Sequence, residues 1–221
     1  MKLFFQYCLH GFSNCYVIGS EYDEKAENPS YTGLYTKERT AIIVDPGNMN
    51  LPTLNFIEQH NYKLRAVLVT HAHKNHVHGL KTLKSIYDAD IYAIDHIIAD
   101  FRTMVVKDGD SVQIGPFTVE VISVPGHSAD SVAFRIDKLL FTGDALTAGL
   151  VGGTASTYGA AIQMTALRSR LLSLPGDLTV LPGHGPPTSL KAERCFNASI
   201  QTFDQRKNHR QAIDLDFLGY I

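Results

Sequence analysis

The stretch THAHKNHVHG, residues 70–79, places four of the chain's ten histidines within ten residues. Neutral imidazole is a good ligand for zinc and iron, and several imidazoles aimed at one point raise affinity beyond any one alone. His71 and His73 are separated by a single residue, so an extended loop presents both to the same side. His76 follows three residues later, where a curl of the chain brings a third imidazole round. His127 and His184 each follow a Pro-Gly pair, which bends a chain sharply because Pro presets φ and Gly permits positive φ. Asp144, in FTGD, supplies a carboxylate from a comparable turn. Singly, Pro-Gly-His and Gly-Asp are ordinary turn chemistry. Beside HAHKNH they complete a candidate ligand set of His71, His73, His76, His127, Asp144 and His184. His10, His60, His96 and His209 are isolated and read as surface or hydrogen-bonded side chains.

Such a set needs a scaffold that gathers distant segments. Short apolar runs alternate with amphipathic stretches, which points to α/β layering. KLFFQYC, CYVIG and TAIIVDPG read as opening strands, with EYDEKAENPSYTGLYTKER (residues 21–39) as a long hairpin loop carrying an Asn28-Pro29 turn signal. Leu51, Leu54 and Ile57 mark one face of a helix that tolerates Pro52 in its first turn. AVLVT is continuous and apolar, as expected of a strand covered on both faces. Leu80, Leu83 and Tyr87 predict a second helix; Met164, Leu167, Leu171 and Leu174 predict a third; and residues 190 to about 212 predict a last one. IYAI, SVQI, FTVEVISV, VAFRI, KLLFT and LTVL complete the strands. Five strand-like runs end in a polar, Gly-rich turn with His or Asp: IIV-DPG, VLVT-HAH, VISV-PGH, LLFT-GD and TVL-PGH. In layered α/β proteins ligands bind where loops leave the carboxyl ends of strands, so these turns are expected to converge.

The 221 residues suffice for a sizeable core, and without solenoid repeats or a low-complexity linker a single domain over residues 1–221 is the simpler organisation. A formal charge of −2 argues against nucleic-acid binding by bulk electrostatics. Three cysteines (Cys8, Cys15 and Cys195) are no disulfide framework and fit a reducing compartment. MKLFFQYCLHGFSN does not read as a secretory signal, and no apolar run approaches the roughly 20 residues of a membrane span. The expectation is a cytoplasmic protein without a membrane partner.

In order along the chain, NCYVIG, IIVDPG, VTHAHKNHVHGL, VPGHSADSVAF, LFTGDAL and LPGHGPPT resemble the metallo-β-lactamase-fold superfamily, in particular its glyoxalase II-like hydrolases. The resemblance runs from about Asn14 to Thr188 and implies a four-layer αββα sandwich with a metal site at one edge. It implies one metal on His71, His73 and His127 and a second on His76 and His184, with Asp144 bridging and Asp45 supporting without ligation.

Three departures matter. The family's His-x-His-x-Asp-His motif has Asn75 at the Asp position; an amide binds metal weakly and is no general base near neutral pH. One tight metal with a second weak or absent is therefore expected. His78 stands where Gly is usual and reads as a residue opening a helix, with replacement ligand or substrate contact as alternatives. AGLVGGTAST lacks the relatives' Arg and Asp, suggesting a flexible or closely approached loop beside the pocket, and the extra helical domain of true glyoxalase II has no counterpart in the roughly 30 residues after PGHGPPT.

The leading expectation is a zinc-dependent hydrolase of a small-molecule ester, thioester or related bond, its catalytic group being water acidified by zinc from about 15.7 towards about 7. Alternatives are a non-haem iron oxidoreductase of the persulfide dioxygenase kind, and a metal-binding protein whose catalysis has decayed through Asn75.

Overall fold

The computed structural model describes residues 1–9, 11–21 and 39–203. The expected Asn28-Pro29 turn, His10, His209 and any helix after residue 203 lie outside the described residues.

Two six-stranded sheets lie face to face. The first orders β1 (Lys2–Tyr7), β2 (Asn14–Gly19), β3 (Thr40–Val44), β4 (Lys63–Leu68) and β5 (Asp90–Ala93) side by side. A two-stranded hairpin, β6 (Ile97–Ile98) with β7 (Phe101–Arg102), stands apart from it, and β8 (Met104–Val105) pairs beyond β5. The second sheet runs β9 (Ser111–Ile114), β10 (Phe117–Ser123), β11 (Val132–Ile136), β12 (Leu139–Gly143), β13 (Thr179–Pro182) and β14 (Thr188–Ser189) in unbroken order. Pairing is parallel at β3–β4, β4–β5, β5–β8 and β12–β13. A parallel pair needs a crossover. Three of these crossovers carry helices: α1 (Leu51–Gln59), the short α2 (Lys74–Val77) with α3 (Leu80–Ile86), and α4 (Thr157–Ala166); the fourth, from β5 to β8, is the β6–β7 hairpin. A fifth helix, α5 (Leu190–Phe196), follows β14.

The period of two along each strand divides the core into three layers. Tyr16, Ile18, Ile42, Val44, Ala66 and Leu68 meet Val119, Val121, Phe134 and Phe141 between the sheets. Their neighbours Cys15, Val17, Ala41, Ile43 and Val67 face the opposite way, against Ile57, Leu80 and Leu83 of the helices. On the far side of the second sheet, Ala133, Leu140 and Val180 pack on Met164, Leu167, Leu171 and Leu190. The result is the expected αββα sandwich, with β4 covered on both faces.

Two helices differ from the spacing argument. After Ala166 the α4 helix widens into a π-helical segment, Leu167–Leu171, with Leu172 N–H donating to the Leu167 carbonyl at 2.8 Å. The wider turn keeps Leu167 and Leu171 against the sheet and leaves Leu174 in the following turn. The last helix breaks at Asn197, where φ −67° and ψ 111° leave the helical region, and resumes over residues 198–203. Asn197 causes and repairs the break: its amide donates to Leu150 O and Glu193 Oε2, while its side-chain carbonyl accepts from Ile200 N–H as a fresh cap.

The strand-end turns gather at one edge of the sandwich, sewn together by backbone hydrogen bonds. Asp45 N donates to Leu68 O at 3.0 Å, Val132 N to Thr70 O at 2.9 Å, Gly183 N to Gly143 O at 2.8 Å and Asn14 N to Gly183 O at 2.8 Å. Among the described residues no helix is long and apolar enough to cross a membrane.

Candidate metal centre

All six candidate ligands meet at this edge. The ligand atoms of His71, His73, His127 and Asp144 lie within 4.8 Å of one another, as do those of His76, Asp144 and His184. Asp144 is the hinge between the groups. Its Oδ1 lies 3.4 Å from His76 Nε2, and its Oδ2 lies 3.5 Å from His127 Nε2, 3.5 Å from His184 Nε2 and 3.8 Å from His71 Nε2.

Each ring is oriented by what its other nitrogen touches. Thr70 Oγ1 donates its only proton to Asp45 Oδ2 at 2.6 Å, so it accepts from His71 Nδ1 at 3.0 Å. His76 Nδ1 donates to Asp45 Oδ2 at 3.1 Å, His127 Nδ1 to Gly153 O at 2.6 Å, and His184 Nδ1 to Phe12 O at 2.8 Å. A proton fixed on Nδ1 leaves the lone pair on Nε2. Four Nε2 atoms therefore aim at one carboxylate, which is how imidazoles are held when they ligate metal. His73 Nδ1 lies 3.0 Å from His127 Nε2, so it reaches the same point.

Such a convergence is poor in the protein's own terms. Among the described residues, His71 Nε2, His76 Nε2 and Asp144 Oδ1 are buried without a hydrogen-bond partner. Buried polar atoms are rarely left so. Cations bound among them would satisfy all three, so the donor set fits divalent metal of the zinc or iron type. Burial, with His76 beside it, pushes His71 down to about 3, which keeps it neutral and able to donate its lone pair. Burial also opposes charge on His76, but the carboxylates of Asp144 and Asp45 outweigh it and lift the ring to about 10, so without a cation its Nε2 carries a proton that a metal would have to displace. Burial would raise Asp144; the His76 ring overcomes this and holds the carboxyl down at about 2. The centre's geometry is thus built around concentrated positive charge.

The Pro-Gly-His turns prove to need glycine for different reasons. Gly126 has φ 137°, where only glycine is unstrained. Gly183 has no left-handed φ; a Cβ there would sit 2.3 Å from Asp144 Oδ1 and 2.6 Å from His76 Cε1, so close approach demands it. Gly143, in the Gly-Asp turn, has φ 50° and lies against Thr70.

Asp45, 2% exposed, accepts from Thr70 N at 2.8 Å as well as from Thr70 Oγ1 and His76 Nδ1. Its ligand atoms also fall near those of His71 and His76, yet with both oxygens engaged it steers rings in place of ligating. Asn75 Nδ2 donates to His184 Nε2 at 2.9 Å, on the lone pair that the Phe12 bond leaves open. His78 is exposed at the C-cap of α2, two residues before α3, so it joins two helices and does not open one. It belongs to none of the ligand groups among the described residues. His60 bonds the Phe56 carbonyl at 2.8 Å and stacks on Tyr62, and His96 is exposed, as isolated histidines should be.

Apart from Asp45, sequence reasoning missed the ring-steering partners. Thr70 is adjacent to His71 and could have been suspected for that alone. Asp130, in the SADS run, accepts from Ala72 N at 2.7 Å and pins the His71–His73 loop. Phe12 and Gly153 act through backbone carbonyls, which carry no residue-type signal.

The sequence model of the metallo-beta-lactamase superfamily matches residues 26–184. A hydroxyacylglutathione hydrolase of Francisella philomiragia is 35% identical over 158 residues, 70% of this chain. That alignment spans only 62% of the relative, so this chain covers less than two thirds of its length. The crystal structure of BLEG-1 B3 metallo-beta-lactamase superposes with a TM-score of 0.74 at 23% identity, over 90% of this chain and 99% of that one. TTHA1623, solved in a di-iron-bound form, gives 0.67 at 25% identity over 88% of this chain and 98% of its own. Fold, motif order and the edge-on cluster agree with these matches, and the chain belongs to the metallo-β-lactamase superfamily.

Proposed function

We propose that the chain is a metal-dependent hydrolase, with zinc as its metal, acting on the ester, thioester or related bond of a small molecule. The observation that carries this reading is the set of imidazole Nε2 atoms oriented on Asp144, with His71 Nε2, His76 Nε2 and Asp144 Oδ1 buried and without a hydrogen-bond partner among the described residues. His71, His73, His127 and Asp144 would hold one cation; His76, His184 and the shared Asp144 would hold a second. Bound there, a divalent cation supplies Lewis acidity, polarising a carbonyl or phosphoryl oxygen and bringing the pKa of coordinated water to about 7. The chain's own contribution is orientation: Thr70, Asp45, Phe12 and Gly153 hold the rings before any ligand arrives. The hydroxyacylglutathione hydrolase relative supports a carbonyl substrate.

The Asn75 contact supports one tight and one weak cation. To use His184 Nε2, a second cation must displace the Asn75 amide, and it gains no carboxylate in return. One observation favours iron as the alternative metal, which an oxidoreductase would need: the structural neighbour in a di-iron-bound form.

Protein stripped with chelator and reloaded with zinc or iron should hydrolyse thioesters or activated esters, and the stripped protein should not. Iron-loaded protein consuming oxygen on glutathione persulfide, without ester turnover, would replace this reading by the oxidoreductase. Metal bound with neither activity would leave a binding protein.

A further inference from the structure

Behind His127 lies a cleft of about 460 Å³ that the metal centre does not use. It is bounded by Val151, the Gly152-Gly153 pair, Ala160, Met164 and Phe203. Among the described residues that line it, none is charged. The volume falls in the range of small-molecule pockets, roughly 300–1,000 Å³.

The cleft and the centre share a wall one backbone thick. Gly153 O takes the proton of His127 Nδ1 at 2.6 Å, while Gly152 and Gly153 face the cleft. A Cβ on Gly152 would lie 3.0 Å from His127 Nδ1 and 2.1 Å from Asp144 O, so a side chain could not stand between them. A Cβ on Gly153 would meet nothing within 4 Å, which marks the wall as open towards the cleft. A molecule with its reacting bond at Asp144 can lay an arm across the double glycine into this space.

We infer that the cleft takes an uncharged, mainly apolar arm of the substrate. The inference rests on the hydrolase reading for the reacting bond and goes beyond it in naming the substrate class. Glutathione, the group named by the hydroxyacylglutathione hydrolase relative, carries carboxylates and an ammonium group. The described lining has no charge to pair with them, and burying an unpaired charge is strongly unfavourable.

The test is binding of straight-chain carboxylates, acetate to octanoate, to the zinc-loaded full chain by calorimetry, beside turnover of the matching p-nitrophenyl esters. Each methylene removed from water should tighten binding about fourfold, roughly 200-fold from acetate to hexanoate. Ala160→Trp, which fills the cleft in a chain that has no tryptophan of its own, should flatten that dependence. Its fluorescence also reports whether the variant is folded. Thr202→Leu, exposed at the rim, is the milder replacement should Ala160→Trp not fold, and should reduce the slope. Flat affinity along the series, or an undiminished slope in both variants, overturns the inference even if esters are hydrolysed. A steep slope without ester turnover upholds the cleft and removes the hydrolase reading.

Discussion

Asp45→Asn separates ring steering from folding. Asp45 sits at φ 49°, where Asn is better tolerated than most side chains, so the backbone should keep its shape. The amide oxygen can still accept from Thr70 N, now at 2.8 Å. The change falls on the other oxygen, which accepts from both Thr70 Oγ1 and His76 Nδ1. An NH₂ there donates where a carboxylate accepted. Thr70 Oγ1 then accepts from it and turns its proton towards His71 Nδ1, 3.0 Å away. His71 is driven to the tautomer protonated on Nε2, which cannot ligate, and His76 is driven the same way. Binding zinc then requires breaking these new hydrogen bonds, each worth about 0.5–1.5 kcal/mol. The two together give about 1–3 kcal/mol, and loss of such supporting partners typically lowers metal affinity about 10–100-fold. Competition with a chromophoric chelator measures this directly, with thermal unfolding of the metal-free protein as the control. Zinc affinity within about twofold of the unsubstituted protein, with unfolding unchanged, would falsify the claim that Asp45 sets the tautomers.

Asn75→Asp returns a carboxylate beside His184 Nε2, and titration after chelator stripping should change from one tight zinc to two. Two equally tight ions in the unsubstituted protein would contradict the weak second site. Gly183→Ala drives a methyl group into Asp144 and His76, so zinc affinity should fall at least tenfold and stability by about 1–3 kcal/mol, read by chelator competition and chemical denaturation. Partial burial would raise the Asp108 carboxyl, but Arg170 and the Ser123 N–H bind it and hold it below its usual value. A carboxyl lowered on folding stabilises above its unfolded pKa, and that contribution is lost as pH falls through the folded one. Asp108→Asn should therefore lower stability slightly at pH 7, by no more than about 1 kcal/mol for so exposed a pair, and the difference, read from melting curves, should shrink as pH falls below the usual carboxylate range.

The candidate ligands that the structure gathers were legible in the sequence because most follow the carboxyl end of a strand, and strand ends are marked by apolar runs breaking into Gly, Pro, Asp and His. VLVT-HAH, VISV-PGH, LLFT-GD and TVL-PGH carry that mark in both composition and order. The αββα layering was legible through the family resemblance, and the period-two strands agree with it: Ala66 and Leu68 face the second sheet while Val67 faces the helices. Elements stabilised by a few specific bonds left less trace. The β6–β7 hairpin has two residues per strand, too short for any period, and the break at Asn197 depends on side-chain contacts to Leu150 and Glu193 that spacing cannot reveal.

The site itself divides along the same line. Which residues are candidates to ligate follows from their type, but whether they could do so depends on which nitrogen carries the proton. That depends on Phe12 O, Gly153 O and Thr70 Oγ1, groups that almost any sequence possesses. Phe12 shows the consequence most plainly. It is 64% exposed and held at φ 56°, a conformation unfavourable for an aromatic residue, while its carbonyl orients His184 from across the fold. The ring's contact with Tyr7, centroids 6.4 Å apart, still leaves it largely exposed and is a slender reason for a strained turn. The Phe12 backbone supplies a stronger one, because without that carbonyl His184 is free to place its proton on Nε2, and the second half of the cluster loses its donor.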